Sequence, residues 1–279
     1  MAAIAIGACG TTIAHAQGAP TQIVLQGAAN VRDLGGYQTY DGATVKSGKI
    51  IRSDALGKLT AADVQKLGSL NLQQVIDFRT PAEVQGLGAD VLPSGVPGVA
   101  RAIDDTGMFL KMSQAIGSKD PEVQQQMLGN GAAEQIMAGV YKSFFSADSM
   151  AKFGQTVKDL AATKKATLFH CTAGKDRTGW LSYVVLQAVG VPEAVARQDY
   201  LLSNQYRAAA DAATRQQLQQ AGYMQNPDLL IPLQTVSDQY LDVAVQQMQS
   251  QFGDLGKYLT KGLGVDPATV LQLRKNLVS

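Results

Sequence analysis

Cysteine and histidine are nearly missing: the 279-residue chain has two of each, Cys9 and Cys171, His15 and His170. So sparse a set excludes a disulfide scaffold and a zinc site built from repeated Cys/His ligands, and no metal or cofactor is expected. A charge excess of either sign is missing as well, since 24 basic and 23 acidic residues leave +1. That excludes a global field for polyanions and with it a nucleic-acid partner; any anion site has to be local. No later segment reaches about 18 consecutive apolar residues, which excludes a transmembrane helix. What the chain does have is 46% apolar and 17% charged residues, enough for a packed core and too apolar for disorder.

The first residues are small and apolar and end in Ala14-His15-Ala16, a pattern that signal peptidases accept. The expectation is a leader over residues 1–16 and a periplasmic or secreted product. Ile6-Gly7-Ala8-Cys9 supports a second reading, a lipobox with a lipid anchor at Cys9. A third is a frayed or core-packed N-terminal helix, the segment being too short to span a bilayer and interrupted by Gly; no Lys or Arg precedes Arg32, where leaders carry a positive front end, so the leader reading expects the true start upstream of Met1. Cleavage after Ala16 leaves Cys171 and His170 alone of their kinds. A lone cysteine cannot form an internal disulfide in an oxidising compartment, so the thiol needs another explanation.

Short β-rich runs alternate with longer helical patterns, which predicts an α/β fold, a central mostly parallel sheet flanked by helices. Strands are expected at Lys49 to Ser53, Gln73 to Arg79, Val99 to Ile103 and Ala166 to His170. Thr60 caps an amphipathic crossover helix that turns Val64, Leu67 and Leu70 inward, and Pro81 starts another helix. From Met108 to Leu160 the pattern is helical in pieces, broken near Gly117, Gly129 to Gly131 and Ser146 to Ser149. That is far more chain than a crossover needs, so residues 108–150 read as a helical insertion placed to cover the site. Residues 203–251 read as a Gln- and Ala-rich helical segment broken by Pro227 and Pro232. No internal repeat or composition shift marks a second domain, so residues 17–279 form one unit.

The chemistry concentrates in Leu168-Phe169-His170-Cys171-Thr172-Ala173-Gly174-Lys175-Asp176-Arg177-Thr178-Gly179, between an apolar strand and an apolar helix beginning at Trp180. A helix N-terminus exposes unpaired N–H groups and positive dipole, and Gly174 lets successive amides curl around a tetrahedral anion. Those amides and Arg177 favour a thiolate over a thiol at Cys171, which makes it a nucleophile. The Arg177 guanidinium is a planar fork suited to two oxygens of a phosphoryl group. Thr178 can bond the sulfur or the departing phosphoryl. Adjacent strand residues face opposite ways, so His170 is badly placed as a proton acceptor for Cys171 and is expected to support the loop.

This pattern resembles the cysteine-dependent protein phosphatases, whose signature is His-Cys-x5-Arg-Ser/Thr. Within them, Ala173 to Gly179 together with Asn30-Val31-Arg32-Asp33-Leu34-Gly35-Gly36 and Ile51-Arg52-Ser53-Asp54 is similar to the bacterial tyrosine-phosphatase-like family that contains secreted mycobacterial and listerial enzymes. Val75-Ile76-Asp77-Phe78-Arg79 and Asp199-Tyr200-Leu201-Leu202-Ser203-Asn204 fit the same family. The resemblance implies a phosphatase that is metal-independent and forms a phosphocysteine on Cys171, with phosphotyrosine in proteins as the foremost substrate. The loop residues Thr172, Ala173, Gly174, Lys175 and Thr178 then bind phosphate, with His170, Asp33, Asp77 and Arg79 in support. The eukaryotic-type Trp-Pro-Asp acid loop is absent, because the only Trp is Trp180, after the cysteine. Asp176 is the family-consistent general acid, with Asp104 or Asp105, at the end of the third expected strand, in reserve and Asp148 behind them. Tumour-suppressor phosphoinositide phosphatases carry basic residues at the positions of Thr172 and Lys175; only Lys175 matches, which keeps phosphoinositides and phosphoserine/threonine as alternative substrates.

Rival readings are a rhodanese-type sulfurtransferase, which does not predict the Arg177-Thr178 pair, and a phosphate-binding module, which needs neither a thiolate nor a proton donor. Gly174-Lys175 lacks the upstream Gly and the following Ser/Thr of a nucleotide-binding loop. Arg32, Asp33 and Arg79 read equally well as an ion-pair network or as residues that shape the site.

Overall fold

The computed structural model describes residues 18–279, so the leader and the Cys9 anchor lie outside the described residues. Six strands form one mixed sheet: β1 (Thr21–Gln22), β2 (Arg32–Asp33), β3 (Ile50–Ser53), β4 (Leu72–Asp77), β5 (Gly98–Ala100) and β6 (Ala166–His170). Their spatial order is β1-β2-β3-β6-β4-β5, with β3, β6, β4 and β5 parallel and β1 and β2 antiparallel at one edge. Every residue of β6 is buried, as expected of a central strand covered on both faces.

The register aligns Ser53 of β3, His170 of β6 and Asp77 of β4 at one edge of the sheet. This is the carboxyl end of the parallel strands, where α/β folds present their sites. β4 stops at Asp77 rather than Arg79 because the Asp77 carboxylate accepts the Arg79 N–H and turns the chain toward Pro81. β5 stops at Ala100, although Arg101 and Ile103 still donate to the Asp77 and Phe78 carbonyls.

The helices are α1 (Ala61–Gly68), α2 (Pro81–Leu87), α3 (Met108–Ser118), α4 (Pro121–Leu128), α5 (Ala132–Ser143), α6 (Ala147–Ala162), α7 (Arg177–Ala188), α8 (Glu193–Gln220), α9 (Ile231–Gln234), α10 (Asp238–Phe252), α11 (Leu255–Lys257) and α12 (Pro267–Leu277). Capping boxes open α1, with Thr60 and Asp63, and α2, with Thr80 and Glu83. Ser146 caps α6 where the sequence places a break, whereas the break near Gly117 falls at Lys119, left-handed with φ +54°. The helix expected to begin at Ser203 begins at Glu193, immediately after Pro192.

α7 runs through the middle of the fold and is buried from Arg177 to Leu186. A helix apolar all round belongs in a core, and aromatic rings pack about it. Trp180 stacks on Tyr183 at 5.6 Å and donates its indole N–H to the Tyr258 hydroxyl at 3.1 Å. Phe78, Phe153, Phe144 and Tyr141 continue the packing from the sheet to α5. On the other face Ile51, Val75 and Leu168 pack with Leu67 of α1. Among the described residues no helix is long and apolar enough to cross a membrane.

Candidate active site

β6 delivers the chain to the sheet edge at His170, and α7 takes it away at Arg177. Between them the carbonyls of four successive residues are held from outside. Cys171 O meets the His170 Nδ1 at 3.2 Å, and Thr172 O accepts from the Ala55 N–H at 3.1 Å. Ala173 O and Gly174 O each accept from the Asn30 amide at 3.0 Å, and Gly174 O also accepts from Arg52 at 2.7 Å. In a trans peptide the N–H points opposite to the carbonyl. The N–H groups of Thr172, Ala173, Gly174 and Lys175 therefore point away from those partners, and among the described residues they donate to no protein acceptor. Four successive amides free of protein acceptors, just ahead of the N-terminus of α7, are the makings of an anion nest.

Gly174 is needed for two reasons. It sits at φ +65°, and a Cβ there would come within 2.3 Å of the Ser53 carbonyl oxygen. Cys171, at the base of the loop, is 1% exposed and unpaired.

Arg177 is fixed by a carboxylate that the sequence reading did not name. Its Nη1 and Nη2 donate to Glu83 Oε2 at 2.7 Å and Oε1 at 2.5 Å, and Nη1 also reaches the Phe78 and Ile103 carbonyls. Glu83 also accepts the Thr172 hydroxyl at 2.5 Å and the Thr80 N–H at 2.7 Å. Burial would raise the Glu83 carboxyl, but the bonds from Arg177 and Thr172 outweigh it and hold the group at about 2. Arg177 in turn is held further into its cationic range against burial by Glu83 and by the Cys171 charge beside it. The signal for Glu83 was present in Thr80-Pro81-Ala82-Glu83, a capping box behind an N1 proline. Thr178 has a buried hydroxyl with no hydrogen-bond partner among the described residues, and so makes none to the sulfur.

Asp176 and Lys175 pair with each other. Lys175 Nζ lies 2.9 Å from Asp176 Oδ2 and 3.2 Å from the Thr235 carbonyl, and its side chain is 2% exposed. The side chain expected to bind phosphate is turned to its neighbour here, where the buried Asp176 carboxylate has it as a counter-charge. Tyr141 of α5 donates its hydroxyl to Asp176 Oδ1 at 2.9 Å and shares a 2.6 Å hydrogen bond with Tyr200 of α8. Burial and the Asp176 charge raise both phenols well above their usual range, so they stay protonated as donors.

Of the reserve acids, Asp105 is buried and accepts the Gly107 and Phe109 N–H groups at the start of α3. Asp104 is exposed and accepts the Thr106 N–H, while Asp148 is tied to Lys152 at 2.6 Å.

His170 is oriented by a second buried cluster. Its Nε2 meets Asp90 at 2.9 Å, and Arg79 bridges Asp90 and Asp77 at 2.8 Å each. The His170 Nδ1 lies against the Cys171 carbonyl, so the two ring nitrogens tie the start of the loop to Asp90. Burial would raise the Asp90 carboxyl; the bond to His170 and the nearby Arg79 hold it lower. Asp77, Asp90 and His170 are spaced to hold a metal ion, but Arg79 supplies positive charge within that cluster. Asp77, Arg79 and His170, each named from the sequence as a supporting residue, lie together here, and Asp90, which the sequence did not mark, lies with them. Asp33 does not join them: it accepts the Gly35 and Gly48 N–H groups and closes a turn at the antiparallel edge. Its short side chain on β2 is two strands away from β6.

A cysteine and an arginine share one amide-lined loop, with a fixed counter-carboxylate behind the arginine. A family model described as "Tyrosine phosphatase family" matches residues 23–279. The chain belongs to the tyrosine phosphatase family. A Cupriavidus necator protein named as a tyrosine-protein phosphatase is 32% identical over 248 residues, 88% of this chain and 84% of its own length. A triple specificity protein phosphatase of Mycobacterium tuberculosis is 29% identical over 271 residues, 90% of this chain and 96% of its own. A Nostoc commune tyrosine-protein phosphatase matches at 32% over 157 residues, 56% of this chain and 48% of its own. The family assignment leaves the sulfurtransferase and the non-catalytic binder without support: the first does not call for the Arg177 guanidinium, and the second needs no cysteine at the base of the loop.

Proposed function

We propose that this tyrosine phosphatase hydrolyses phosphate monoesters through a phosphocysteine on Cys171. The observation that carries the reading is the nest of four inward amides closed by the Glu83-anchored Arg177 fork above Cys171. Amides and guanidinium converge where charge develops as phosphorus is attacked, and each is in place before the reaction. In the first step the Cys171 thiolate forms an S–P bond while the ester P–O bond breaks, and Asp176, which stands as a carboxylate beside Lys175 in the free site and takes up a proton from water before the step, gives that proton to the leaving oxygen. In the second, water attacks phosphorus, its proton returns to Asp176, the S–P bond breaks and phosphate leaves. Lys175 and Tyr141 position the Asp176 carboxyl; Lys175 contributes its backbone N–H to the nest.

Phosphotyrosine in proteins is the foremost substrate. A second reading, wider specificity over phosphoserine/threonine and phosphoinositides, draws on the printed name of the Mycobacterium relative. We also hold to export: the Ala14-His15-Ala16 site and the single cysteine left after it fit an oxidising compartment. N-terminal sequencing of the protein from a cell envelope fraction tests this, with Gln17 as the expected first residue.

The mechanism is tested with p-nitrophenyl phosphate. Turnover should persist in EDTA, be blocked by vanadate and fall by at least about a thousandfold in Cys171→Ser. Activity lost to EDTA, or surviving the serine change, would refute it. Asp176→Asn should slow poor leaving groups far more than p-nitrophenol; equal effects on both would move the acid to Asp105.

A further inference from the structure

Behind the phosphate loop lies a buried polar cluster that the proposed chemistry does not itself use. Arg32 and Arg52 are both 0% exposed and both bind Asp199 of α8, at 2.9 Å and 2.7 Å. Arg32 also donates to the Asp199 carbonyl at 2.8 Å and to the Asn30 side-chain oxygen at 2.6 Å, and Tyr37 adds its hydroxyl to the Asp199 carboxylate at 3.1 Å. Asn30 and Arg52 are the two side chains that take hold of the loop, at the Ala173 and Gly174 carbonyls.

Burying two guanidiniums and one carboxylate is costly, and well-packed apolar residues of the same volume generally do as well for stability. The cluster does something an apolar core cannot: it supplies donors to carbonyls that have to face away from the ligand. Burial and Arg32 push the Arg52 guanidinium down to about 10, against Asp199 and the Cys171 charge. It is therefore a cation at neutral pH.

α8 carries further contacts at the same spacing. Asp199, Ser203, Arg207 and Asp211 recur every fourth residue, hence on one face of the helix. Arg207 reaches Asp54 at 3.0 Å, and Asp54 accepts the Ala29 and Asn30 N–H groups at 3.1 and 3.0 Å. The backbone of Asn30 is thus pinned from the same helix that orients its side chain.

We propose that Asn30, Arg32, Arg52 and Asp199 are positioning residues of the phosphate loop, a buried clamp that turns the Ala173 and Gly174 carbonyls outward and aims the Gly174 and Lys175 amides at the bound phosphoryl oxygens. The proposal rests on the reading of Cys171 as the nucleophile in that loop. Asn30 is the component through which the clamp can be opened with least disturbance. Asn30→Asp keeps the acceptor for Arg32 but sets carboxylate oxygens against two carbonyls. Arg52→Lys keeps the charge and loses the fork that spans Asp199 and Gly174.

The experiment measures vanadate inhibition of p-nitrophenyl phosphate turnover, and the rate of Cys171 alkylation by iodoacetamide between pH 5 and 8. Near-UV circular dichroism reports the fold of Asn30→Asp, Arg52→Lys and Asp199→Asn. In folded variants the vanadate inhibition constant should rise at least about tenfold and alkylation at pH 6 should slow several-fold, with kcat falling more than KM changes. Folded Asn30→Asp or Arg52→Lys protein with both readouts within about twofold of wild type would overturn the clamp. Should the variants not fold, amide spectra of the wild type decide. Vanadate has to shift the Gly174 and Lys175 N–H resonances, and unmoved resonances refute the proposal. Alkylation needs no turnover, so a wild type that hydrolyses nothing would sink the phosphatase mechanism while the clamp is still judged on its own.

Discussion

At Glu83 four hydrogen bonds converge on two oxygens, from the Thr80 N–H, the Thr172 hydroxyl and both arms of Arg177. One carboxylate therefore caps the start of a helix, anchors the loop that follows β6 and aims the arginine. Glu83→Gln should retain the helix cap but halve the pairing with Arg177. We expect kcat/KM for p-nitrophenyl phosphate to fall roughly ten- to a hundredfold, since a misaimed donor to developing charge costs about that much. Tyr141 is the corresponding residue for Asp176, the proposed acid. Tyr141→Phe removes one donor to Asp176 and leaves Lys175 in place. Its effect should be only a few-fold on p-nitrophenyl phosphate and larger on phenyl phosphate, where protonation of the leaving oxygen matters more. A comparison of the two esters checks it.

At the scale of elements, the strand-loop-helix passage from β6 into α7 works because neighbouring elements press on it. Gly174 lies against the end of β3, and its positive φ is one that L side chains adopt at a cost. Gly174→Ala should cost roughly 2 kcal/mol or more in a urea melt, from strain plus the clash with Ser53, and abolish vanadate binding. α2 acts on the loop through its first turn. Thr80→Ala removes one half of the capping box and should cost about 1 kcal/mol in the same melt. Vanadate affinity should weaken with it, because the Glu83 main chain loses its tie to the Thr80 hydroxyl and the first turn that carries the carboxylate is held less firmly. A cap mutation that changed stability alone would show that α2 merely holds its place.

For the whole molecule, buried carboxylates tie stability to pH. Glu83 is held at about 2 against an ordinary 4.5 by Arg177, and Asp199 is lowered from 3.8 by Arg32 and Arg52, each against burial that would raise it. A group depressed on folding stabilises the native state above its unfolded value and loses that contribution as pH falls toward the folded one. Stability should therefore be level at neutral pH and decline from about pH 4.5 down to about pH 2, with Glu83 alone contributing on the order of 3 kcal/mol. Chemical melts at stepped pH measure it, and Glu83→Gln should flatten part of the decline.

What the sequence alone determined is local: a strand, a glycine-bearing loop with Cys171 and Arg177 six residues apart, and a helix start that together define an anion nest. Capping residues and prolines marked most helix starts for the same reason, because they satisfy backbone groups within a few residues. The tertiary structure decided which distant groups complete the site. Glu83, Asp90, Tyr141 and Asp199 come from α2, the loop after it, α5 and α8, and no spacing links them to residues 170–178. It also decided that Lys175 turns to Asp176 and that Asp33 closes a remote turn. The physical reason is common to all of these. A buried charge takes its partner from whatever element packs against it, and that choice is made by the assembled sheet and helices rather than by neighbours in the chain.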